Sequence, residues 1–255
     1  MAQTREPPSY IPAELIGAPI EFPWEGRHAH AGPMQVVTRL LDHLASTTTC
    51  GQLVMCAGIV EWGTWRLSGH VPLDTTFDRI DASFAYQVDQ RYADYRGGES
   101  TKPPPDASPA LAALRELNSY LWASMGRKYA KSYYQPVPNT FHAAHVVRHI
   151  LPKQHKKTFN TWLHDLAIRV RAVAPKPDEE FKKKKTFETP EAHAAFLARH
   201  WGAPLSRAIL DPEADASDPS QASRFAASLD WEANPLLRSP EQMRELGFEG
   251  TPYTS

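Results

Sequence analysis

Cysteine is nearly absent from the chain. Its 255 residues hold two, Cys50 and Cys56, six positions apart in an apolar run. Two such thiols make neither a disulfide framework nor a CxxC pair, and they are expected as buried, reduced side chains. Glycine is scarce as well, at 13 residues against 23 prolines. A proline-rich disordered chain would be poor in aromatics, yet this one carries 7 Trp, 9 Tyr and 10 Phe. Long apolar runs are missing too. The strongest, Leu53 to Val60, falls far short of the ~20 residues that cross a bilayer. The opening Met-Ala-Gln-Thr-Arg-Glu-Pro-Pro has no apolar core of a secretory signal. The expectation is a cytoplasmic protein with no membrane partner.

The familiar catalytic signatures are also missing. There is no Walker A loop, no GxGxxG after a strand, no GxSxG elbow and no HExxH. No convincing strand pair and no repeat of 20–50 residues is visible.

What remains is helical periodicity. Pro33 opens a first stripe of Met34, Val37, Leu40, Leu41 and Leu44. The segment from Cys50 to Leu67 is apolar on every side, as a central buried helix must be, and its Gly51, Gly58 and Gly63 allow close neighbours. Asp74 or Thr75 is expected to cap a third helix, and Ser108-Pro109 a fourth. Asn139 or Thr140 starts a fifth, Pro152 a sixth and Thr189-Pro190 a seventh that stops at Gly202. A helix follows Asp218-Pro219, and the capping box Ser239-Pro240-Glu241-Gln242 starts a last one. The pattern predicts an all-α fold: a single irregular bundle of about seven to nine helices, with an extended proline-rich arm and a loosely packed C-terminal appendage. The expected division is an arm over 1–32, a helical core over 33–174, a charged connector over 175–189 and a C-terminal helical appendage over 190–255.

Net charge is −1, from 28 basic and 29 acidic side chains, which excludes a uniformly basic nucleic-acid coat. By region the charge is segregated. Residues 126–185 hold 14 basic side chains against 4 acidic, while residues 1–100 and 186–255 are both acidic. The basic stretch is interleaved with aromatics and has four histidines between 142 and 155. One reading is an anion-facing surface; the other is internal pairing with the acidic helices. Arg148, Lys153, Lys156 and Lys157, with Tyr133 and Tyr134, are the candidate partner contacts.

His142, His145 and His149 share one helix face and are the candidate metal ligands. No cofactor is otherwise expected. Glu61, inside the all-apolar helix, is the single candidate catalytic acid; buried there, it must find a cation or a proton. The leading expectation is a non-enzymatic binding protein, an immunity-like inhibitor or adaptor, that meets a protein partner through its basic, histidine-containing face. The alternatives are a helical-bundle enzyme using metal on His145 and His149, and nucleic-acid binding by residues 126–185.

Overall fold

A computed structural model describes residues 5–24, 38–94, 102–125, 136–179 and 186–253. Among the described residues there are nine α-helices and no strand. They are α1 (Thr38–Ala45), α2 (Thr49–Arg66), α3 (Asp74–Val88), α4 (Pro109–Met125), α5 (Val137–Ile150), α6 (Lys156–Val173), α7 (Pro190–Trp201), α8 (Gln221–Ala227) and α9 (Pro240–Glu245). The all-α expectation holds. Short 3-10 turns add Ala13–Leu15, Gln90–Tyr92, Lys153–His155 and Arg207–Leu210.

Helix α2 is the axis. Every residue from Cys50 to Arg66 is buried, and α3, α4, α5 and α6 all pack around it. Each fully buried large apolar side chain, such as Leu53 or Trp62, stabilises the fold by about 1.5–3 kcal/mol relative to exposure. Small residues set the spacing. A Cβ on Gly58 would lie 2.7 Å from the Leu210 side chain and 3.1 Å from the Trp162 ring, so this glycine lets both seat against α2.

Two polar side chains buried on α2 donate to backbone carbonyls of neighbouring segments. Gln52 donates to the carbonyls of Leu44 (3.0 Å) and Thr47 (3.1 Å), capping the end of α1. The buried Arg66 guanidinium donates to the carbonyls of Ile150, Ala18 and Pro19 at 2.6–3.1 Å. It closes the last turn of α5 and pins the N-terminal arm at once. The arm is more than a surface strap: Ile11 and Leu15 enter the core, while Ile16, Ile20, Phe22 and Trp24 lie half-buried on it.

Helix ends follow the sequence signals with two corrections. Ser108, Thr189 and Ser239 cap α4, α7 and α9, the last with the full reciprocal box. Gly202 ends α7 at φ +81°, a backbone region that glycine enters without strain. The third helix, however, is preceded by Leu73, which puts Asp74 inside its first turn. The fifth starts at Val137, before the expected Asn139, because Pro138 fits the first turn, where no backbone N–H is needed. The expected opening at Pro33 lies outside the described residues.

Candidate functional site

Three on-face pairs of polar side chains converge where α1, α5 and α6 meet. Helix α1 contributes Arg39 and His43, α5 contributes His145 and Arg148, and α6 contributes Asn160 and His164. Spacings of three or four residues put each pair on one side of its helix. Leu40, Ala144, Leu163 and Ala167 complete a cavity of about 260 Å³. The two alanines leave the room that larger core residues would fill.

The lining is rich in donors and has no carboxylate. The His43 and His164 rings meet edge to face with centroids 5.7 Å apart, and His145 lies against Phe141 at 4.5 Å. His43 Nδ1 and His145 Nε2 are buried without a hydrogen-bond partner among the described residues. A buried polar atom left so costs about 1–3 kcal/mol, and such atoms in a native fold call for an explanation.

Both rings are held neutral at pH 7. Burial lowers the His43 pKa, and nearby His164 and Arg171 lower it further; Asp42 pulls weakly the other way. Burial likewise lowers His145, helped by Arg148 and His142. A neutral imidazole offers one N–H and one lone pair, whereas a protonated one offers two donors.

The structure separates residues that the sequence grouped. His142 stacks on Tyr120 with centroids 5.6 Å apart. The third histidine, His149, packs on Phe22 and Trp24 of the arm and bonds the Pro23 carbonyl at 2.7 Å. Only His145 faces the cavity. Among the described residues no three His, Cys, Asp or Glu side chains are grouped to hold a metal ion.

The basic candidates divide as well. Arg148 lines the cavity. Lys156, half-buried, stands one turn before the cavity-lining Asn160 on the same stripe of α6 but is not itself part of the lining, while Lys153 is exposed on the preceding 3-10 turn. Lys157 turns to a separate, more open groove of about 420 Å³, lined also by Tyr10, Thr158, Thr161, Trp162, Asp165, Arg169 and Pro212. That groove is less suited to an anion, because Asp165 lines it and Arg169 is engaged with the Ile209 carbonyl. Tyr133 and Tyr134 lie outside the described residues.

Internal pairing does not absorb these cations. Arg207, Arg199, Arg224 and Arg91 all hold carboxylates. Among the described residues, Arg39, Arg148, Lys153, Lys156, Lys157 and Arg171 have none within 4 Å, and of the basic stretch only His155 approaches one, Glu14 at 4.0 Å.

Glu61 belongs to a different construction. It has no exposed surface, and it accepts from the Tyr10 hydroxyl at 2.7 Å and from the Arg207 guanidinium. Arg207 also bonds Asp81 at 3.2 Å, and Arg5 holds the other Asp81 oxygen at 2.6 Å. Tyr10 stacks on Trp162, whose indole N–H donates to the Leu210 carbonyl at 2.9 Å. The acid found its cation, in a network that ties the arm and the 207–210 turn to α2. It lines neither cavity.

Arg39, His43, Asn160 and His164 were missed in the sequence. Asp42-His43 and His164-Asp165 stand out there as adjacent pairs, but adjacent helical residues diverge by about 100°. The contact that forms is between the two histidines of different helices. The usable signal was the four-residue spacing of Arg39 with His43 and of Asn160 with His164.

No protein-family model, no curated protein and no solved structure matches the chain.

Proposed function

We propose that the protein is a non-enzymatic binding protein, inhibitor- or adaptor-like, that recognises an acidic segment of a protein partner through the α1–α5–α6 face. One observation carries this reading. The cations of that face converge around a cavity and have no carboxylate within 4 Å among the described residues, while Arg199, Arg207 and Arg224 elsewhere each hold one. Uncompensated charge on an ordered surface steers an oppositely charged partner and fixes its register. Rim lysines such as Lys156 then act mainly on the encounter rate, and the half-buried Arg148 on the lifetime of the complex.

The test uses defined polyanions. Fluorescent poly-glutamate and polyphosphate should bind at 20 mM salt and weaken steeply by 200 mM. Arg148→Glu combined with Lys156→Glu should abolish binding without lowering the melting temperature by more than a few degrees. Failure of both probes to bind at low salt, or binding indifferent to the charge reversal, overturns the proposal.

A further inference from the structure

We infer that the cavity between α1, α5 and α6 is a seat for a single phosphomonoester group, delivered either on a side chain of the partner or on a free small molecule. The inference rests on the anion-recognition reading above and specifies its ligand.

The shape of the donor set argues for phosphate over carboxylate. Donors come from three sides: Arg39 and His43 on α1, His145 and Arg148 on α5, Asn160 and His164 on α6. A planar carboxylate presents two oxygens, which one guanidinium fork satisfies. A phosphomonoester presents three terminal oxygens and two negative charges, and arginine is the side chain that recognises it bidentately. The fourth direction is left for the ester oxygen, toward the open side. The floor of Leu40, Ala144, Leu163 and Ala167 is apolar, so interactions with the bound group are less screened than at an open surface. A volume of about 260 Å³ holds the group and the first atoms of its carrier.

His43 Nδ1 and His145 Nε2 are buried and unpartnered among the described residues. A dianion beside them turns each from an idle atom into an N–H donor, once a proton is taken up. The groups that set this proton affinity are on all three helices. His43 faces Arg39 and Asp42 on its own helix and His164 and Arg171 on α6. His145 has His142 and Arg148 on α5 and shares the cavity with Arg39, His43 and His164. Apart from Asp42, these neighbours are basic side chains, and each lowers the proton affinity of His43 or His145. The bound dianion reverses that balance, so protons enter with the ligand.

Sulfate isolates the protein's own protons, because it stays a dianion between pH 6 and 8. Calorimetry with sulfate, run in two buffers of different ionisation enthalpy, should show proton uptake. Affinity should be about 5- to 10-fold tighter at pH 6 than at pH 8, below the limit of about tenfold per pH unit for each proton. Arg148→Ala should remove sulfate and phosphate binding. His43→Asn should keep binding and flatten its pH dependence. If Arg148→Ala does not fold, the imidazole resonances of the wild-type chain serve instead: phosphate should shift those of His43, His145 and His164 and leave that of His193 unmoved.

A phosphoserine peptide that binds tighter than free phosphoserine, and than its unphosphorylated form, identifies a partner side chain as the source. The opposite order identifies a small molecule, and either result supports the seat. The inference is overturned if 10 mM sulfate and phosphate give neither heat nor shifts at pH 6. If polyanions still bind the face in that case, only the seat is lost and the broader reading stands.

Discussion

Removing the Arg207 guanidinium exposes how strongly the fold depends on one buried acid. Glu61 is fully buried, and among the described residues its two hydrogen-bonding partners are Arg207 and Tyr10. In Arg207→Ala the carboxylate keeps the tyrosine and loses its counter-charge. It then has two routes. It can stay ionised, at about 3–5 kcal/mol for an orphaned buried charge. Or it can take a proton, which for a glutamate of ordinary acidity costs about 3.7 kcal/mol at pH 7. The cheaper route sets the ceiling. The Arg207 side chain is 30% exposed, so water reaches the vacated space and lowers the cost of the ionised route. Asp81 keeps Arg5 at 2.6 Å. The expected loss is about 2–4 kcal/mol, or roughly 4–16 °C in melting temperature for a chain of this size.

The route leaves a signature in pH. The cost of the proton falls by about 1.36 kcal/mol per pH unit. The deficit of Arg207→Ala relative to wild type should therefore narrow to about 1 kcal/mol by pH 5. The double variant Glu61→Gln with Arg207→Ala needs no proton, so it should be more stable than the single variant at pH 7 and show no narrowing. Urea unfolding at pH 7, 6 and 5, followed by circular dichroism, measures all three. A loss below about 1 kcal/mol at pH 7, or a deficit unchanged at pH 5, refutes the reasoning.

Two further perturbations test other parts of the molecule. Gly58→Ala gains about 1 kcal/mol of helix propensity, but its Cβ meets Leu210 at 2.7 Å; overpacking of about 1–3 kcal/mol should win, and a variant more stable than wild type in urea would show that the turn is not seated on α2. For Asp78, burial and the nearby Asp81 and Asp74 raise the pKa to about 6, against the pull of Arg5. A carboxyl raised in the folded state stabilises only while protonated, and that contribution is lost as pH rises through 6. Asp78→Asn should thus stabilise the fold by about 1–2 kcal/mol at pH 7.5 and be neutral below pH 4; lower stability than wild type at pH 7.5 in melting curves would contradict this.

The elements were legible in the sequence where local rules decide them. An all-round apolar segment could only be a central helix, and α2 is one. Caps such as Ser239 with Gln242 act within a single turn, so their residues identify themselves. The site was less legible because it is made by which faces meet. His145 and Arg148 were visible as a pair on α5, but nothing in the chain shows that they oppose Arg39 and His43. Grouping by sequence proximity also misled. Lys156 and Lys157 are neighbours in the chain, yet about 100° of helical rotation sends one along the cavity stripe and the other into a different groove. Glu61 announced that it needed a partner. The identity of that partner, 146 residues away, depended on the path of the whole C-terminal segment.

That separation has a consequence during synthesis. When α2 emerges, Tyr10 has already been made and Arg207 has not. At about 5–20 residues per second, the arginine follows Glu61 by roughly 7–30 s. Over that interval the segment with the strongest tendency to hide from water carries an acid that resists hiding. Of its two partners only the uncharged hydroxyl is then available, so the charge balance around α2 is completed only once the C-terminal segment has been made.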